Sequence, residues 1–543
     1  MLMTKRGTHQ TRGKGKPRVT QKGLKAKSRS VSKSFGQKLT KRLAKLPRIV
    51  VIMVGFAIVG TVALVISQAA TPTSSTEAEG GTRSSGANIV ANGNASGGAY
   101  IRFGPGTPTN NLTRRFFADS VSWNKPVSQM GISSSYPGYV ERMFKYSGAS
   151  GWDDPVLGIG FNPSVRGNYN LALRDYSVPI YDLATMTPAE KSNLTTKRVY
   201  WSGWAYPNAE RYECDGVGIS PCTGSQTSVP VTPGMFIPWD PDWKPGTGYD
   251  RIMAVINSNT GEFWSYYGTN IDPLQCTIFG GGENWLGNAT ATPAFDANDP
   301  NHICMSGANR RANIYEINQP TTVNGRGMGI DKLALVVRAE EVQSGEIRHA
   351  LGLTIFSQMF GPACNPATPA VAAGAGVSCA FYLPPATRIE HTTIPHGGAN
   401  ACKENTIQNT HANRSKTIPS GMRFRVNRPK TIADGANSIE AWLNSKGYTG
   451  NKRNTARIIG TALVDYGFVA ASETGCGNPH WEFDGMQNPK TRDIWVNELG
   501  LEDTGSDNGG QSSGQPDGLA DYPSGNLMHG FITETNMQIV NPG

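Results

Sequence analysis

The sequence predicts a mainly β protein: a β-sandwich or jelly-roll-like ectodomain with a few short helices, preceded by a single transmembrane helix. Three observations predict it. From residue 113 onward the chain is rich in Gly, Pro, Asn, Thr, Trp and Tyr and poor in long helical periodicity, the pattern of short strands joined by turns. Residues 49–66 read IVVIMVGFAIVGTVALVI, eighteen residues without a charge. All eight cysteines, at 214, 222, 276, 304, 364, 379, 402 and 476, lie beyond that run, as expected of a disulfide-braced unit in an oxidising compartment.

The elements follow in order. Residues 1–48 hold sixteen of the 51 Lys/Arg and no acid, so the rest of the chain carries 35 Lys/Arg against 41 Asp/Glu, a net −6. This is the composition of a disordered basic tail that stays cytoplasmic and meets anionic lipid. With the basic residues inside, a nucleic-acid partner is not expected. Ile49 to Ala70 is long enough for a helix to cross a hydrocarbon core of about 30 Å. The expected topology is a single-pass plasma-membrane protein with a cytoplasmic N-terminus and most of the chain outside. Ser67-Gln68-Ala69 offers small residues for a signal peptidase, but the apolar run and the segment before it both exceed signal-peptide lengths.

Residues 71–112 read as a polar linker and a stub. Ala87 to Gly104 places two short apolar runs around a Gly/Asn turn, the pattern of a β-hairpin. Glu77-Ala78-Glu79, followed by Ala95-Ser96-Gly97-Gly98-Ala99-Tyr100-Ile101, resembles the opening strands of family 6 and 35 carbohydrate-binding modules. That resemblance implies a structural calcium near Glu77 and Glu79 and a sugar-binding loop end. No other cofactor is expected, and the cysteines form no C-x-x-C zinc pair.

Residues 113–543 read as one disulfide-braced, β-rich extracellular domain. Sequence proximity pairs Cys214 with Cys222, Cys276 with Cys304 and Cys364 with Cys379, leaving Cys402 and Cys476. Ile252 to Asn257 is a nearly continuous apolar strand, Asn257 to Gly261 is turn chemistry, and Phe263 to Tyr267 is an aromatic strand. Leu333 to Val337 reads as a buried strand or helix end, Arg338 to Val342 as a helical turn, and Glu346 to Ile355 as a strand with His349 on its apolar side. Asn454 to Tyr466 is the clearest helix. Ile458, Ile459, Ala462, Leu463 and Tyr466 make its stripe, Asn454 is its expected cap and Gly467 its terminator. Phe468 to Ala471 then reads as a strand.

Four segments of this domain resemble a large, mostly uncharacterised family of secreted or surface-anchored bacterial proteins. They are Phe117-Ala118-Asp119 with Trp123-Asn124-Lys125-Pro126-Val127, Tyr249-Asp250-Arg251, Glu340-Glu341-Val342 through His349-Ala350-Leu351, and Ala462-Leu463 through Tyr466-Gly467. Where that family often has Asp-Arg-His, this chain has Asp250-Arg251-Ile252. The resemblance implies surface location and no particular reaction.

The residues themselves suggest polysaccharide chemistry. Glu262 precedes an aromatic strand whose alternation puts it on the face of Trp264, and Glu283 lies beside Trp285 in a glycine-rich loop. A carboxylate beside aromatics is what sugar-processing clefts use, so Glu262 and Glu283 are the candidate acid pair and Trp264 the stacking platform. Arg388 and Glu390 are candidate contacts to sugar hydroxyls or a uronate, and His349 is a further substrate-side candidate. The spacing of His391 and His396 does not match a helical metal pair. A Gly-x-Ser-x-Gly elbow and a papain-like cysteine motif are both missing from the sequence, which disfavours those hydrolases. The expected function is to bind or cleave extracellular polysaccharide at the cell surface. The alternative is a non-catalytic adhesin or envelope-organising protein.

Overall fold

The structure is a computed structural model. It describes residues 87–91, 99–103, 113–146, 167–174, 177–201, 212–214, 228–232, 235, 252–267, 302–305, 307–318, 327–355, 357–359, 364, 380–389, 415–473, 479–503 and 525–541. The expected span at 49–70, the tail, and Glu77, Glu79, Glu283, Glu390, His391 and His396 lie outside the described residues. Among those described, no helix is long and apolar enough to cross a membrane. The described residues from 113 on belong to one compact unit, Arg83–Val90 with Ile101–Gly543.

In chain order the strands are β1 Ala87–Ala91, β2 Ala99–Phe103, β3 Asn170–Ala172, β4 Ile180–Asp182, β5 Thr195–Trp201, β6 Tyr212–Cys214, β7 Ser228–Val231 and β8 Met253–Ile256. They continue as β9 Phe263–Tyr267, β10 His302–Met305, β11 Gly307–Arg311, β12 Leu351–Ile355, β13 Arg423–Val426, β14 Phe468–Glu473, β15 His480–Glu482 and β16 Met537–Ile539. The α-helices described are α1 Tyr139–Tyr146, α2 Pro188–Ser192, α3 Ala339–Gln343, α4 Ile439–Lys446, α5 Gly450–Asp465 and α6 Pro489–Asp493. The chain is therefore mainly β with short helices, as its turn-rich composition predicts.

β1 and β2 pair with each other in a two-stranded sheet. The two larger sheets run β16-β13-β14-β12-β15-β3 and β4-β8-β9-β11-β6, and a smaller one runs β10-β5-β7. Both large sheets are mixed. β12 runs parallel to β14, β15 to β3, β4 to β8 and β11 to β6, while the other neighbours are antiparallel. Parallel neighbours require crossover connections, which the wholly antiparallel jelly roll does without.

Side-chain alternation along the strands sorts the core into layers. On β14, Phe468 and Ala470 join a cluster with Ile439, Trp442 and Leu443 of α4 and Ile458, Ile459 and Leu463 of α5. Val469 and Ala471 face the other way, into a cluster shared with Ile180, Ala254, Ile256 and Phe263 of the five-stranded sheet. The opposite face of that sheet, Met253, Val255, Trp264 and Tyr266, packs with Val229 and Val231 of β7. Both faces of β14, β8 and β9 therefore carry one of these clusters. That is why β8 reads as a continuous apolar run rather than an alternating one.

The helix expected at Asn454 begins four residues earlier, at Gly450 behind Thr449, and Asn454 lies inside it. Of its stripe, Ile458, Ile459, Ala462 and Leu463 are buried and Tyr466 is half-buried, and Gly467 follows at φ 68° as expected. A Cβ on Gly467 would lie 2.0 Å from the Phe424 carbonyl oxygen, so both the left-handed turn and the close approach require glycine.

One junction ties the two large sheets together. After β15, Phe483 bridges Val337, whose N–H donates to the Glu482 carbonyl at 3.0 Å, while the Asp484 N–H donates back to the Val337 carbonyl at 2.8 Å. The Asp484 carboxylate accepts from the Ile180 N–H of β4 at 3.1 Å, and the Asn488 amide donates to the Ile180 carbonyl at 2.6 Å. Arg338, Glu340, Glu341, Asp182 and Asp484 are gathered around this junction.

Candidate ligand-binding site

Val337 is followed by Arg338, which is 1% exposed. Its guanidinium pairs with Glu341, donates to the Arg114 carbonyl at 3.0 Å and lies over the Phe116 ring, 3.6 Å from its centre. Glu341 also accepts from the Arg338 N–H at 3.2 Å, closing the first turn of α3. His349 completes the group: Nε2 is 3.2 Å from Glu341 Oε2 and Nδ1 is 2.8 Å from the Ala350 carbonyl oxygen. Burial alone would raise the Glu341 carboxyl, but Arg338 and His349 outweigh it and hold its pKa below the ordinary value.

Its neighbour Glu340 behaves oppositely. Burial pushes its pKa up to about 7, and the charges of Asp182 and Glu341 add to the rise against the pull of Arg338. Its Oε2 has no hydrogen-bond partner. Asp484 is raised as well, first by burial and next by the charge of Glu340. Two carboxyls that disfavour each other's charge in a low-dielectric setting retain a proton between them near neutrality.

Asp182, at the carboxyl end of β4, is fully engaged. Its Oδ1 accepts from the N–H groups of Ala184 (3.0 Å) and Ser258 (2.9 Å), and its Oδ2 from the Ser258 hydroxyl (2.7 Å). The Tyr315 hydroxyl then donates to the Ser258 carbonyl at 2.8 Å. A chain of contacts thus runs from β4 through the β8–β9 turn to Tyr315.

The two ends of this chain of contacts line different cavities, Asp182 one and Tyr315 the other. The first, of about 310 Å³, is lined by Tyr181, Asp182, Thr185, Met186, Glu190, Asn193, Thr232, Met235, Asn488, Pro489 and Lys490. Glu190 accepts from the Thr187 N–H at 2.6 Å and pairs with Lys490 at 2.9 Å. Those two contacts, the backbone N–H first, hold its pKa below the ordinary range. The second cavity, of about 330 Å³, is lined by Arg114, Arg115, Phe117, Ala118, Asp119, Tyr315 and Arg348.

The residues singled out in the sequence are placed differently. Trp264 is 5% exposed and packs with Met253, Val255 and Tyr266, so it presents no open face for a sugar. The reason is the position of β9: it is an inner strand with both faces covered, and its aromatics fill the core. Glu262 lies just before β9, half-buried, its N–H 3.2 Å from the Thr260 hydroxyl and its carbonyl accepting from Asn257 at 2.8 Å. It lines neither cavity. His349 is a core histidine bound to Glu341, not a cleft residue. Arg388 donates to the Gly327 carbonyl at 2.9 Å and fastens its turn to the 327–329 loop. Among the described residues, no group of three or more His, Cys, Asp or Glu is arranged to hold a metal ion.

Sequence reasoning passed over Arg114, Arg115 and Asp182. Their signals were local: two adjacent arginines directly before an aromatic pair, and a carboxylate closing a three-residue apolar strand. No family model matches the chain, and no curated protein or solved structure matches it.

Proposed function

We propose that the chain is a membrane-anchored bacterial surface protein that binds extracellular polysaccharide, of the secreted or surface-anchored kind its four motifs resemble. The supporting observation is the cavity between β4, α2 and the start of α6. Hydroxyl, amide, carboxylate and ammonium groups from Thr185, Asn193, Asn488, Glu190 and Lys490 share it with the apolar surfaces of Tyr181, Met186 and Met235. A sugar presents hydroxyls on its rim and C–H groups on its faces, and this mixture matches both.

Binding is favoured over cleavage. A glycosidase needs one carboxyl held protonated and a second across the cleft. Asp182 is consumed by three hydrogen bonds, and Glu190 is held ionised by Thr187 and Lys490. The proton-retaining carboxyls, Glu340 and Asp484, do not line the cavity. The proposal therefore takes the adhesin or envelope-organising form, with Glu262 and Glu283 as the acids to test for residual cleavage.

Three further readings go with it. Residues 49–70 anchor the protein in the plasma membrane with the basic tail inside, near anionic lipid. The two large sheets, which share one apolar cluster, make up a sandwich-like body. Cys364, which is disulfide-bonded, pairs with Cys379.

The test is a glycan array with the purified full-length protein, with mass spectrometry of every bound glycan. Binding without shortened products is the expected result. Shortened products lost in Glu262→Gln would replace this reading with hydrolysis, and silence across the array would remove polysaccharide as the partner.

A further inference from the structure

The second cavity combines three guanidinium groups with one carboxylate. Arg115 is committed: it donates to the Asn124 carbonyl at 3.0 Å and the Arg348 carbonyl at 3.1 Å and pairs with Asp119. Arg114 lies over the Tyr315 ring, 3.7 Å from its centre, and makes no side-chain hydrogen bond among the described residues. The exposed Arg348 side chain likewise meets no acceptor among them. Two uncompensated positive charges therefore face an open space of about 330 Å³.

The wall carrying them is held rigidly. The Asn124 amide donates to the carbonyls of Phe116, Phe117 and Ala118 at 2.8, 3.2 and 3.1 Å. The N–H groups of Phe117 and Ala118 donate to Ile314 and Ile317 at 3.1 and 2.9 Å. From beneath, Arg338 holds the Arg114 carbonyl. Within this clamp Phe117 sits at φ 64°, the single non-glycine residue with positive φ among the described residues. A bulky side chain keeps a left-handed backbone only where its surroundings over-determine it, and such strain gathers at ligand clamps. Here the strain lies in the cavity wall, between Arg115 and Asp119.

We infer that Arg114 and Arg348, positioned by Arg115, bind an oxyanion carried on a sugar: the carboxylate of a uronate or the phosphate of a phosphorylated glycan. The planar forks of guanidinium groups suit both anions, bidentately and with little loss of freedom when one wall is already fixed. With Arg114 already covering the Tyr315 ring, charge and not stacking selects the ligand. The inference rests on the polysaccharide reading and narrows it to acidic glycans.

The experiment measures calorimetric binding of full-length protein at low salt with three probes: tetragalacturonate, its methyl ester, and inorganic phosphate. The protein is tested as wild type, Arg114→Gln, Arg348→Gln and Arg348→Lys. Both Gln changes are at exposed side chains, and circular dichroism checks the fold. The expected result is at least tenfold tighter binding of the acid than of the ester, with that preference lost in both Gln variants and partly kept in Arg348→Lys. Phosphate competing with the acid would confirm that the shared oxyanion is what the site reads. Equal binding of acid and ester, unchanged in the variants, would overturn the inference and leave the polysaccharide reading standing. Arginine-dependent binding of phosphate with no binding of either oligosaccharide would keep the oxyanion site and overturn its assignment to a uronate glycan. Silence to all three probes would overturn the inference, while the glycan array decides the polysaccharide reading separately.

Discussion

Glu340→Gln should make the protein more stable at neutral and alkaline pH. The wild-type carboxyl is buried beside Asp182, Glu341 and Asp484, and burial lifts its pKa from 4.5 to about 7. The folded state thus binds a proton more tightly than the unfolded chain does. The associated stability is fully present below the unfolded value and is lost as pH rises through about 7. At about 1.4 kcal/mol per unit, the rise corresponds to about 3 kcal/mol across the window. An amide has the shape of the protonated acid and never ionises, so the variant escapes this loss. Glu190, Glu341 and Glu440 have lowered pKa values and titrate below this window. They are common to both proteins, so a difference curve isolates the buried pair. The assay is urea unfolding of wild type and variant from pH 4.5 to 8.5. The difference in unfolding free energy should swing toward the variant by about 3 kcal/mol, mostly between pH 5 and 8. Asp484→Asn should swing in the same direction, because the retained proton belongs to the pair. A flat difference curve for both variants would show that neither carboxyl holds a proton at neutral pH, and the electrostatic account of this centre would fail.

Three other outcomes are expected. Arg423 is 2% exposed and donates to the carbonyls of Ser122, Lys125 and Tyr466 at 2.5, 2.7 and 2.5 Å, with burial drawing its pKa down to about 10. Arg423→Met strands those carbonyls and should cost about 3 kcal/mol or more in urea unfolding, and Arg423→Lys, lacking the fork, should recover less than half. Gly261→Ala forces a side chain onto φ 86° and a Cβ to within 2.2 Å of Asn313 Oδ1, so it should lower stability by about 1–3 kcal/mol or more. An unchanged urea midpoint would mean that the turn is free to rearrange. Non-reducing peptide mapping should recover a Cys364–Cys379 cross-link: the Cys364 N–H already donates to the Ala380 carbonyl at 2.8 Å, which brings the two segments together. A cross-link from Cys364 to any other cysteine would refute the proximity argument.

Much of the local structure was legible in the sequence because local physics decides it. The strand, turn and strand from 252 to 267, the end of α5 at Gly467 and the strand at 468 follow from apolar runs, turn residues and a left-handed glycine. Sequence alone placed His349 on the apolar side of a strand starting at Glu346; the structure buries it, but the strand starts only at Leu351 and Ala350 is buried as well. The same reading offered Trp264 as a surface platform, because alternation says which residues share a face and not whether that face is covered. Covering is decided by β7, whose contact with β9 is long-range. The junction of Val337 with Asp484, the retained proton on Glu340 and the arginine cavity are also tertiary facts. Arg114 and Arg348 are 234 positions apart, and no period or motif relates them. They meet because Arg115 reaches the Arg348 carbonyl while Arg338 holds the carbonyl of Arg114. The sequence by itself determined composition, strands, turns and the charge division of the chain. Only the tertiary structure decided which charges are buried together and which face solvent, because burial and pairing are properties of neighbours in space.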